Sequence, residues 1–151
     1  MKKLLFLTTA FLFSVSAISQ VVNIPDANFK SILLANTVIN TNADNEIQVS
    51  EAEAFTGKIE VIEDRNNPMS IHLDGLESFI NIKELEIENL SVSSIDLSKN
   101  VNLEMLRLAT YDFGVLNISN NLKLKKIDLN YANHQNSILD FSSQTDLEEL
   151  T

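Results

Sequence analysis

The sequence contains no cysteine, which excludes a disulfide framework, a thiol nucleophile and a thiolate metal site. Its three glycines, Gly57, Gly75 and Gly114, stand alone, so no Gly-rich loop is present to cradle a phosphate. Neither G-x-S-x-G nor H-E-x-x-H occurs, and His72 and His134 lie far apart in the chain. Without a catalytic pattern the chain reads as a non-enzyme. Basic residues are also scarce: 11 Lys and Arg face 21 Asp and Glu, a formal net charge of −10. Phosphate backbones and anionic lipid need clustered cations, so nucleic acid is a poor partner, and basic surfaces or divalent cations suit the chain better. Long apolar runs are missing too. The longest, Leu4 to Val15, is about half of the roughly 20 residues that cross a bilayer, so no membrane insertion is expected.

That apolar run has a different use. Lys2 and Lys3 precede it and the small residues Ser16, Ala17 and Ser19 follow, the layout of a cleaved secretory signal peptide over residues 1–19. Cleavage after Ala17 or after Ser19 fits. The mature chain is then exported, to be secreted or held at the cell surface, with nine Lys and Arg against 21 Asp and Glu, a net charge of −12. No cysteine follows the cleavage region, which argues against a lipid anchor there. About 130 remaining residues are enough for one core.

What the chain has in quantity is repetition. Asn81-Ile-Lys-Glu-Leu-Glu-Ile87, Asn102-Leu-Glu-Met-Leu-Arg-Leu108 and Lys123-Leu-Lys-Lys-Ile-Asp-Leu129 recur every 21 residues. Asp146-Leu-Glu-Glu-Leu-Thr151 begins the pattern again. The later half of each unit recurs as Ile95-Asp-Leu-Ser98, Leu116-Asn-Ile-Ser119 and Leu139-Asp-Phe-Ser142, the last with two extra residues, so 131–137 is expected to bulge. The L-x-x-L-x-L signature is that of a leucine-rich repeat, a short strand that buries its apolar side only against like neighbours. An α/β solenoid of short parallel strands over 58–151 follows, with its last repeat incomplete and a continuation into further C-terminal repeats expected.

Ahead of the repeats, Phe29, Ile32 and Leu33 form a helical apolar stripe, and Ser50 with Glu53 has capping-box spacing before a short helix ended near Gly57. Residues 20–57 therefore read as a helical N-terminal cap. From Ile24 to Thr151 the chain resembles secreted bacterial leucine-rich repeat proteins of internalin-like layout, in which such a cap precedes repeats ending in Leu-Asp-Leu-Ser. It departs from them where a buried Asn often follows the strand, at Leu90, Tyr111 and Ala132. A second polar column, Asn100, Asn121 and Gln144, is placed to bond backbone groups at the turn after the Ser.

Within the cap, residues 40–51 match a twelve-residue EF-hand loop. Asn40, Asn42 and Asp44 take the first, third and fifth positions, the Glu46 carbonyl the seventh, Ile47 the apolar eighth and Glu51 the bidentate twelfth. Asn replaces Asp at the first position and Asn45 replaces Gly at the turn. Only two carboxylates face the ion, which predicts calcium affinity of about 10⁻⁴ to 10⁻³ M. Turn formation and helix capping by the same residues need no ion.

Residues alternating with the strand leucines point away from the core. They form columns of Glu84, Met105, Lys126, Glu149 and of Glu86, Arg107, Asp128, with Glu88, Ala109 and Asn130 beside them. Tyr111 and Tyr131 leave the strands on adjoining loops, where aromatic anchors serve recognition. Three functions suit this face: a display module binding protein or glycan, a calcium-stabilised structural spacer in a larger surface protein, or an accessory region attached to an enzyme.

Overall fold

The structure, a computed structural model, describes residues 20–62, 71–90, 92, 94–110, 114–130 and 139–151. The leader, the loop at 63–68, Tyr111, Phe113, Tyr131, His134 and the bulge at 131–137 lie outside the described residues.

Helix α1 (Ala27–Ala35) starts because Asp26 accepts the backbone N–H groups of Asn28 and Phe29 at 2.9 and 3.0 Å. Phe29 and Leu33, one turn apart, are buried on its inner face. The other Asp26 oxygen accepts the His72 N–H at 2.9 Å, so one carboxylate caps the helix and ties it to the first repeat. Burial pushes that carboxyl up, but the N–H groups of His72, Phe29 and Asn28 outweigh burial and hold it below its ordinary value.

Helix α2 (Val49–Ala54) begins two residues earlier than the Ser50–Glu53 spacing predicts, with Gln48 as N-cap and Glu51 at the third helical position. The reason is non-local. Val22 donates to the Ile47 carbonyl at 2.8 Å and Val49 to the Gln20 carbonyl at 2.7 Å, an antiparallel bridge that fixes Gln48 in extended backbone. Ser50 and Glu53 are left exposed. Gly57 does not terminate this helix in left-handed backbone; only Gly75 (φ 103°) and Gly114 (φ 53°) among the described glycines have positive φ. Gly75 also lies so close to residues 22–24 that a Cβ would meet the Ile24 side chain at 2.6 Å and the Asn23 carbonyl at 3.0 Å.

Strands β1 (Lys58–Ile62), β2 (Glu84–Glu88), β4 (Met105–Ala109), β6 (Lys126–Asp128) and β7 (Glu149–Leu150) form one parallel sheet in that spatial order. Between them, β3 (Ser94–Asp96) and β5 (Val115–Asn117) pair in a second, two-stranded parallel sheet. Register follows the repeat, aligning Ile59, Leu85, Leu106, Ile127 and Leu150 across the five strands. Leu85, Ile87, Leu106, Leu108 and Ile127 are fully buried, and Phe79, Ile82, Leu103 and Leu124 pack with them. Leu90, where the sequence departs from the Asn of similar repeats, is buried as well.

Asn100, Asn121 and Gln144 hold successive repeats together from inside. The Asn100 amide donates to the Leu76 and Phe79 carbonyls at 2.9 and 3.0 Å, that of Asn121 to the Leu97 and Asn100 carbonyls at 3.0 and 2.8 Å, and that of Gln144 to the Ile118 carbonyl at 2.8 Å. These carbonyls also accept one N–H within their own turn, so each uses both lone pairs. No helix among the described residues is long and apolar enough to cross a membrane.

Candidate functional site

Opposite its buried leucines, the five-stranded sheet presents three rows. Lys58, Glu84, Met105, Lys126 and Glu149 lie in register in the first; Glu60, Glu86, Arg107 and Asp128 in the second; Ile62, Glu88 and Ala109 in the third. Glu84, Glu86, Glu88, Arg107, Lys126 and Asp128 are therefore brought together on one side. Tyr111 and Tyr131 fall outside the described residues.

Arg107 organises the face. Its Nη1 donates to Glu86 and Glu88 on the preceding strand, and its Nε to Asp128 on the next at 3.3 Å. Lys58 reaches Glu86 at 3.1 Å and pairs with Glu60, and these two carboxylates hold its ammonium above the ordinary lysine value. Lys126 pairs with Glu149 at 2.8 Å. Glu86 thus points away from the core, yet Lys58 and Arg107 roof it to 9% exposure. Lys58 and Glu60 were not among the sequence candidates. The strand carrying them is visible in Ile59-Glu-Val61, but its register with Glu84 and Glu86 is hidden, because 26 residues instead of 21 separate Ile59 from Leu85.

Arg107→Ala leaves Glu86, Glu88 and Asp128 with their shared cation gone. We expect a loss of about 1–2 kcal/mol, since Arg107 is partly exposed and water screens part of the repulsion. Urea denaturation at low and high NaCl checks this, the deficit shrinking as salt rises. Arg107→Lys recovers only part of it, because an ammonium has no planar fork.

The second candidate is the 40–51 loop. Glu51 is 9% exposed. Its Oε1 accepts the Thr41 N–H and hydroxyl, both at 2.8 Å, and the Asn42 N–H at 3.2 Å, while Oε2 accepts the Gln48 N–H at 3.0 Å. Burial pushes this carboxyl up, but the donors of Gln48, Thr41 and Asn42 outweigh burial and hold it below its ordinary value. Asp44 accepts from the Glu46 N–H at 2.7 Å and from the amides of Asn42 and Gln48 at 2.9 Å. Asn42 Oδ1 takes the Asp44 N–H at 3.0 Å, and the Glu46 carboxylate pairs with Lys30 at 2.6 Å.

In this arrangement the oxygens that a calcium loop would use at Asn42, Asp44 and Glu51 accept hydrogen bonds within the loop. The NH₂ groups of Asn40, Asn42 and Gln48 donate inside the loop, Asn40 to the Asp44 carbonyl and the other two to the Asp44 carboxylate. The left-handed residue is Ala43 (φ 56°), where the motif places it at Asn45. Among the described residues no three acidic or histidine side chains converge on a common point. Asn40 Oδ1 is a buried acceptor without a partner, but so are the amide oxygens of Asn100, Asn121 and Gln144 in the interior column, so this atom does not single out a cation position.

No protein-family model matches this sequence, and no curated protein matches it either. Among solved structures it is similar to the crystal structure of an internalin from Listeria monocytogenes, with a TM-score of 0.60 and 20% sequence identity over 88% of this chain. The chain spans 37% of that internalin. At this identity the likeness establishes the fold, a leucine-rich-repeat-like α/β arrangement of parallel strands.

Proposed function

We propose that this chain is a non-catalytic leucine-rich repeat solenoid module, exported to the cell surface or beyond, that binds a protein partner through its strand face. One observation carries the reading: strand register gathers three cations, Lys58, Arg107 and Lys126, and six anions on one open side of the sheet, the anions being Glu60, Glu84, Glu86, Glu88, Asp128 and Glu149. The surplus negative charge suits a partner that presents Lys or Arg, whose approach such a face steers. A parallel sheet face set with charged side chains offers area for a protein more readily than enclosure for a small molecule. The internalin likeness is compatible with a binding role.

The test is photo-crosslinking from the Met105 position, which lies in the same row, on intact cells or secreted material. A partner captured by the wild-type chain and bound at least tenfold more weakly by Glu84→Lys/Glu149→Lys supports the reading. Crosslinks whose yield ignores this double substitution defeat it.

The closure of Arg107 by three carboxylates favours a second reading, a structural spacer in a larger surface protein. Under it the Glu84→Lys/Glu149→Lys chain retains every association of the wild type, while Arg107→Ala loses stability alone.

A further inference from the structure

We infer that Gln20 becomes the amino terminus of the exported chain and closes there into a pyroglutamyl ring, a modification that guards the segment on which helix α2 depends. The inference rests on the export reading proposed above and adds to it a cleavage bond and a covalent change. A leader is cut after a pair of small residues one and three places before the bond. Ahead of Gln20 these are Ser19 and Ala17, whereas ahead of Ile18 they are Ala17 and the branched Val15. The Ser19–Gln20 bond is the better match, and cutting it leaves glutamine first.

The fold uses the chain from this residue onward. The Gln20 carbonyl accepts the Val49 N–H at 2.7 Å, Val21 bridges Gln48, and the Val22 N–H donates to the Ile47 carbonyl at 2.8 Å. That bridge holds Gln48 extended as the N-cap of α2, from where its N–H reaches Glu51 at 3.0 Å. Val22 and Ile24 are buried with Gly75 against them, but Gln20 and Val21 are exposed. An aminopeptidase that removed these two would take away half of the bridge. Ring closure prevents this at no cost to the fold. The free α-amine attacks Cδ of the Gln20 side chain, a C–N bond closes the lactam, and the amide nitrogen leaves with one amine proton as ammonia. No oxidant or second substrate is needed. The only Gln20 atom bonded among the described residues is the main-chain carbonyl oxygen, which takes no part in the ring. The lactam presents no free amine, so the exopeptidase has no substrate.

The test expresses the full chain with its leader in a bacterial host and reads the exported protein by mass spectrometry, intact mass first so that rings formed during digestion are excluded. We expect a chain that begins at Gln20 and is lighter than its sequence by one ammonia. Gln20→Ala should be cut at the same bond, keep an open terminus and melt with the wild type, because the Gln20 side chain holds nothing in the fold. A broad-specificity aminopeptidase should then shorten Gln20→Ala at least tenfold faster than the wild type, and the shortened chain should melt below both intact proteins. An exported chain that begins at Ile18, or at a Gln20 that stays open, overturns the inference and leaves the export reading standing. Equal trimming of the two proteins overturns the guarding role. A chain retained in the cell with its leader uncut defeats the export reading itself, and this inference with it.

Discussion

Asn100→Ala unfolds at a clearly lower urea concentration than the wild type with an unchanged slope, a loss of about 2–3 kcal/mol. The side chain is fully buried and its amide supplies the second hydrogen bond of two carbonyls, Leu76 and Phe79, that no water reaches to replace. Asn100→Asp is worse still. It turns a two-proton donor into an oxygen facing two carbonyl oxygens, and a buried carboxylate must either take up a proton or open the turn. The comparison that isolates the cause is Asn102→Ala, two residues away, whose amide bonds the Asn81 side chain at the half-buried surface. Its cost should stay within about 0.5 kcal/mol. Equal losses for Asn100→Ala and Asn102→Ala would remove the interior amide column from any account of how the repeats are joined.

The other large effect belongs to Glu51. Glu51→Gln keeps the shape but removes the charge that four donors surround, and it sets an NH₂ against one of them, which we expect to cost about 2–3 kcal/mol. Because the folded carboxyl is held below its ordinary value of 4.5, its contribution is complete above that value. It disappears as pH falls through 4.5 toward the lower folded value. Asp26, depressed for the same reason, loses its contribution over a neighbouring acid window. The wild type should therefore lose its advantage over Glu51→Gln as melting is measured at successively lower pH. The same melts in EDTA and in millimolar calcium assign the donors. If the N–H groups alone hold the carboxylate, the difference between the two proteins is unchanged by calcium. A calcium-dependent rise in wild-type melting temperature that Glu51→Gln lacks would give the carboxylate to a cation.

Much of this architecture can be read from the residues alone, because the physics of a repeat is local in the stack. A leucine every 21 residues must face the same neighbour, so the columns Leu85–Leu106–Ile127 and the inward amides of Asn100, Asn121 and Gln144 follow from spacing. The outward placement of Arg107 between Glu86 and Asp128 follows in the same way. What spacing does not contain is closure between different parts of the chain. The start of α2 at Val49 depends on the strand-like partner at Gln20 and Val22. The roofing of Glu86 depends on Lys58, which enters from an irregular repeat. The loop at 40–51 shows the same limit more sharply. Twelve residues with oxygen-bearing side chains at the right intervals are compatible with a cation cage or with a self-bonded clasp, and only the direction in which each amide and carboxylate turns tells them apart.

The register has a kinetic consequence. Consecutive strands of the main sheet are offset by 26, 21, 21 and 23 residues, and β3 and β5 by 21. Among the described residues no strand waits for a distant segment of chain before it can pair, which is unusual for a sheet, where long loop closures commonly make folding slow. Growth can begin at any adjacent pair of repeats and advance one repeat at a time. The extra residues in the first and last steps leave the leucine column aligned, so connections between strands can lengthen with only a small entropic penalty to assembly while the advancing sheet keeps its alignment.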